Sequence, residues 1–159
     1  MSKLIDILRR AIVSGGAAGG AAAVTAAACA PRDGSSPYAP INAVTHCLWP
    51  RQAFSETGPS ARFTLTGLAI HQMSAIFWGL LFESWLARSA PADSVDSKPS
   101  VAATVTIAGA TSAIAYAVDY HLVPKRLTPG FEAHLSNRSM FYVYAALAAG
   151  LAAVALSRR

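Results

Sequence analysis

The groups with chemical reach in this chain are four histidines and a few acids. The densest stretch runs from Tyr116 to His134 and contains Tyr116, Asp119, His121, Glu132 and His134. Asp119-Tyr120-His121 and Glu132-Ala133-His134 are both acid-x-His triplets. A carboxylate beside an imidazole can pass a proton or hold a cation, because histidine titrates near physiological pH. Spacing limits this. Residues two apart on a helix point about 200° apart, whereas in an extended segment they share a side. His46 and His71 complete the set. No HxxxH, HExxH or ExxH spacing occurs, so no metal ion is implied. Nor is there a nucleophile elbow, a phosphate-cradling loop or a carboxylate pair. Gly15, Gly16, Gly19 and Gly20 lie inside an apolar run with no strand before it, which excludes a dinucleotide fingerprint. No cofactor is expected.

What must position these groups follows from composition. The chain has 159 residues, of which 53% are apolar and only 13% charged. That charge share is about half that of a soluble domain, and lipid is a solvent that tolerates it. The cations sit in small groups at the ends of apolar runs: Arg9-Arg10, Arg62, Arg88, Lys125-Arg126, Arg138 and Arg158-Arg159. Such placement suits membrane anchoring. A nucleic-acid partner is not indicated, because no basic-aromatic stripe exists. The expected fold is a single all-α membrane domain, a four-transmembrane-helix bundle. Its spans fall at about 9–30, 63–87, 100–123 and 139–157, with loops at 31–62, 88–99 and 124–138.

The spans differ in character. In the first, Gly15/Gly19 and Gly16/Gly20 each repeat at i, i+4 and cut two small-residue notches suited to close helix contact. Arg9-Arg10 followed by a weakly apolar run ending Ala26-Ala27-Ala28-Cys29 also resembles an export signal. Three further apolar runs favour a retained helix. In the second span Thr64, Gly67, His71, Ser74 and Trp78 form one inward stripe, and Ile70, Phe77 and Leu81 an oily face. Gly109, Ser112, Tyr116 and Asp119 form the stripe of the third, with Pro99 suited to its first turn. The fourth opens on an aromatic belt of Phe141, Tyr142 and Tyr144. In the first loop Ile41, Val44 and Leu48 share a face that predicts a short interfacial helix, with Asn42 and Thr45 away from that face and His46 in exposed loop. Cys29 and Cys47 lack zinc-finger spacing. An oxidising face would allow a disulfide between them, and otherwise they are two small apolar thiols.

Four spans put both termini on one side, and the basic lead-in to the first helix argues that this side is cytoplasmic. His46, His71, Tyr116, Asp119, His121, Glu132 and His134 then all fall towards the periplasmic face. At 1.5 Å per residue back from Val123, Tyr116 lies about 10 Å deep, level with His71, and Asp119 about 6 Å, within a side chain's reach of His71. A His71–Tyr116–Asp119 hydrogen-bond cluster is the expectation, since ionisable groups inside spans face the interior. At the other end Glu83 is expected to pair with Arg9 or Arg10 as a structural ion pair.

Pro40 to Trp49 reads Pro-Ile-Asn-Ala-x-x-His-x-Leu-Trp, and it precedes a helix with mid-span His71 and terminal Glu83. This layout resembles an uncharacterised group of bacterial inner-membrane proteins with four helices, and is more faintly similar in layout to the longer YagU-type inner-membrane proteins. The resemblance implies membrane placement and supplies no reaction. The expected role is that of a non-enzymatic accessory or oligomeric membrane component, with the lipid bilayer and a larger complex or a second copy as partners. The alternative is a small transporter or a proton- or metal-handling protein built on the His/Asp/Glu cluster.

Overall fold

The computed structural model describes residues 2–89 and 98–158. Most of the connector expected at 88–99 lies outside the described residues, as do Met1 and Arg159. The described chain is all-helical, and four of its helices are long and apolar enough to cross a membrane. These are α1 (Ser2–Cys29), α3 (Thr66–Arg88), α4 (Val101–Ala117) and α5 (Asn137–Ser157), with the short α2 (Ala39–Ala43) between the first two.

Helix starts are written in serine. Ser60, Ser100 and Ser136 each hold extended backbone angles and accept a hydrogen bond from the backbone N–H three residues on. Ser100 is therefore the cap of α4, and Pro99 stands before that cap rather than inside the first turn. α1 begins at Ser2 instead of near residue 9. Neither proline nor glycine interrupts it before Gly15, so the amphipathic lead-in with exposed Leu4, Ile5 and Leu8 continues the helix. It ends at Cys29 in a 3₁₀ turn, Ala30–Asp33, closed by Gly34 at φ 81°, which glycine adopts without a Cβ penalty.

Two π-helical turns, Ala61–Leu65 and Val118–Leu122, lead into α3 and out of α4. The second closes with Val123 N–H on the Val118 carbonyl, immediately before Pro124.

α1 packs between α3 and α5, and α4 closes the ring by packing on α5 and α3. The seam of α1 carries buried Ala11, Ser14, Ala18, Ala22, Ala26 and Cys29, at steps of three or four. Its contacts with α3 run in reverse order, Ala11 with Gly79 and Gly15 with Ala75, so the pair is antiparallel. A Cβ on Gly15 would lie 2.6 Å from the Ala75 carbonyl oxygen, and one on Gly19 would run into Gln72 and Ala75. The Gly15/Gly19 notch is thus filled by α3. The second notch is not: Gly16 faces open space. On α3, Phe77 does look outward, beside Met73, but Ile70 and Leu81 pack against the core, so the oily face is narrower than periodicity implies.

The first loop departs most from expectation. Every residue from 39 to 46 is buried, Asn42, Thr45 and His46 included, while Leu48 is exposed. The segment is a plug in the end of the bundle rather than a helix lying on its surface. Asn42 makes this affordable: its Nδ2 donates to the Glu56 and Gly58 carbonyls, and its Oδ1 accepts from Thr64 at 2.7 Å. Close approach helps as well, since a Cβ on Gly67 would meet the Ile41 carbonyl. Both cysteine thiols are free.

Candidate functional site

Beneath the plug lies a cavity of about 140 Å³. Val44 and Cys47 of the first loop and Leu127, Thr128, Pro129 and Phe131 of the third loop help enclose it. The wall deeper in the bundle includes His71, Ser74 and Trp78 from α3, Asp119 from the π turn after α4, and Tyr144 from α5. Two of the residues singled out from sequence, His71 and Asp119, therefore share one space.

Their hydrogen bonds go elsewhere. His71 Nε2 lies 2.9 Å from the Gly19 carbonyl on α1. A carbonyl can only accept, so Nε2 carries the proton and Nδ1 of the neutral ring keeps a lone pair. Phe131 packs on this ring at 5.6 Å between centroids. Asp119 accepts a 2.7 Å bond from the Tyr144 hydroxyl, which occupies Oδ2. Each side chain is thus tied to a helix other than its own, His71 to α1 and Asp119 to α5.

Tyr116 is outside this arrangement. It is 41% exposed, and its ring packs against Tyr120, Tyr144 and His121 over a groove between α4 and α5. The expected His71–Tyr116–Asp119 hydrogen-bond cluster does not form: Asp119 bonds Tyr144 instead of Tyr116, and His71 bonds the Gly19 carbonyl. Tyr144 was grouped with the outward Phe141 and Tyr142, yet it falls at i, i+4 from buried Met140 and i, i+7 from buried Leu151. That spacing was the available signal, and the aromatic run masked it. The stripe of α4 likewise faces the groove beside α5, while the buried face is Thr104, Ala108, Thr111, Ser112 and Ala115.

The two triplets do not close on themselves. His121 is exposed while Asp119 lines the cavity, as opposed positions on a helical turn require. Glu132 is exposed and accepts from the Thr128 hydroxyl at 3.2 Å. His134 turns back to the first loop, with Nδ1 3.0 Å from the Ser35 hydroxyl and Nε2 buried without a partner. Burial holds the His134 imidazole below its ordinary pKa.

His46 is not an exposed loop residue. It is 5% exposed, stacks beside Phe54, and reaches the Ala43 carbonyl with Nδ1 (2.8 Å) and the Lys125 carbonyl with Nε2 (3.0 Å). A neutral ring donates to one of these carbonyls, and only a doubly protonated ring to both.

With Asp33 accepting from Ser136 N–H and Arg126 donating to the Cys47 carbonyl, the His46 and His134 contacts make four polar ties between the first and third loops. They form a roof over the cavity. At the opposite end, Glu83 is 2% exposed and pairs with Arg158 at 2.6 Å, not with Arg9 or Arg10. α5 runs parallel to α3, so the residue that ends it, Arg158, reaches Glu83, whereas Arg9 and Arg10 lie on exposed faces of α1 beside the Ala11–Gly79 contact.

Among the described residues no three His, Cys, Asp or Glu side chains converge well enough to hold a metal ion. The chain matches no protein-family model, and no curated protein or solved structure is significantly similar to it.

Proposed function

We propose that this is a multi-pass protein of the bacterial inner membrane, with cytoplasmic termini, that handles a proton or a small solute in the cavity under its capped end. The four long apolar helices and the basic residues at their ends support the membrane placement. One observation carries the functional reading. His71 and Asp119 come from separate elements to the wall of one cavity, each fixed by a different neighbouring helix. Ionisable groups at membrane depth are costly, and they mark ion and proton paths where they line a cavity. His71 brings a lone pair on Nδ1 and Asp119 a carboxylate, which together can take up and release a proton. The test is pH-driven proton flux in proteoliposomes. Flux should fall at least tenfold in His71→Ala and Asp119→Asn. Absent flux, or flux indifferent to both substitutions, removes the proton role; absent flux together with no saturable solute binding sinks the reading.

A second reading, a non-enzymatic subunit that packs against a partner or another copy of itself, has its own support. Gly16 and Gly109 both face open space on lipid-type helices, and Gly109 lines the groove of about 480 Å³ between α4 and α5. Small exposed faces of this kind suit close helix contact. Crosslinking in native membranes should trap a larger species, and a strictly monomeric protein counts against this second role.

A further inference from the structure

Glu83 is buried and Asp119 is half-buried on the cavity wall, and of these two acids only Glu83 has a counter-ion among the described residues. Glu83 is neutralised by Arg158. Asp119 receives a hydroxyl from Tyr144 and makes no ion pair among the described residues. A hydroxyl satisfies one oxygen but does not cancel a charge, and an uncompensated carboxylate away from water is costly. The cavity wall beside Asp119 has no lysine or arginine among its described residues. It presents instead three aromatic side chains, Trp78, Phe131 and Tyr144, with the polar edge formed by His71, Ser74 and Thr128. Aromatic faces around a carboxylate favour a cation whose charge is spread over apolar groups, by cation–π attraction.

Size narrows the class further. A cavity of about 140 Å³ compares with the roughly 150 Å³ that accommodates a benzene molecule, so it takes a ligand of about six or seven heavy atoms. A divalent ion fits poorly, because Asp119 is the one carboxylate on the described wall and no three His, Cys, Asp or Glu side chains converge among the described residues.

We propose that the cavity binds a small substituted ammonium ion, its cationic head between Asp119 and the rings of Trp78, Phe131 and Tyr144, and a hydroxyl or N–H of the ligand donating to Nδ1 of His71. This deepens the solute reading above and rests on it.

Choline is a fitting probe, since it combines a quaternary head with one hydroxyl, and its uncharged isostere 3,3-dimethylbutan-1-ol is the control. Binding of radiolabelled choline to the full chain in lipid nanodiscs is measured by equilibrium dialysis. Saturable binding is expected, with at least tenfold weaker affinity in Asp119→Asn and no competition from the alcohol at matched concentration. Phe131→Leu, which keeps apolar bulk but removes a ring, should weaken binding several-fold and serves where Asp119→Asn does not fold. Equal competition by the alcohol, unchanged affinity in both variants, or no saturable binding overturns the proposal. Loss of choline binding with His71-dependent proton flux intact removes the ligand class alone. Choline binding without flux keeps the ligand and removes the proton role.

Discussion

The two ends of the bundle handle their buried acids in opposite ways. At the end that carries the described termini, Glu83 is closed off by Arg158 in one short ion pair. At the capped end, Asp119 is left with a tyrosine and a cavity, and four polar ties hold two loops over it. A charge that exists to fix geometry is neutralised by the chain itself. A charge on the wall of a ring-lined cavity, with no cation of the chain beside it among the described residues, can meet one carried by a ligand. The proposed function therefore lies at the capped end.

The largest effect that would sharpen the contrast is at Arg158. Arg158→Ala strands the Glu83 carboxylate and should cost about 3–5 kcal/mol of unfolding free energy in detergent. Adding Glu83→Gln should recover much of it. A loss no greater than about 1 kcal/mol would make the pair no better than a surface contact. Next comes the roof. Asn42→Ala orphans two carbonyls and the Thr64 hydroxyl, for about 3 kcal/mol in total. Cys47, half-buried on the cavity wall, reports the location of the damage. Maleimide should label it faster in Asn42→Ala and at the native rate in Arg158→Ala; equal labelling would mean that the ends are not independent.

The seam common to both ends gives a smaller and internally controlled effect. Gly15→Ala drives a Cβ onto the α3 backbone and should destabilise by about 2 kcal/mol, whereas Gly16→Ala meets nothing and should stabilise by about 0.5–1 kcal/mol. If the two substitutions behave alike, α1 does not seat on α3 through the Gly15 notch. The smallest effect is a pH dependence of the roof. The folded pKa of His134 is lowered by burial, so the unfolded chain binds more protons as pH falls. Stability from this residue is therefore present above the ordinary histidine pKa of about 6.5 and drains away below it. Unfolding free energy in detergent should therefore fall between pH 7.5 and 5, and His134→Gln should flatten that fall.

Much of this was legible in advance. A run of apolar residues long enough to span lipid declares itself without any partner, and all four such runs sit on the long helices. Most of the inward stripe of α3 was readable too: Gly67 and Trp78 are buried, Thr64 bonds Asn42 and His71 lines the cavity, whereas Ser74 stands exposed at its edge. Pairings were not readable. Arg9, Arg10 and Arg158 all stand at the level of Glu83 by span counting, and only the packing of α5 chooses among them. The plug was misjudged because its apolar face suggests a surface helix, while what buries it is a set of hydrogen bonds from Asn42 to carbonyls 14 and 16 residues away.

Sequence alone determined which segments are long and apolar enough to span a membrane, because hydropathy and helical period are local sums over neighbours in the chain. Tertiary structure alone decided which acid has a cation and which has a cavity. Ion pairs and cavities depend on distances between residues far apart in sequence, and a hydropathy pattern carries no such distance.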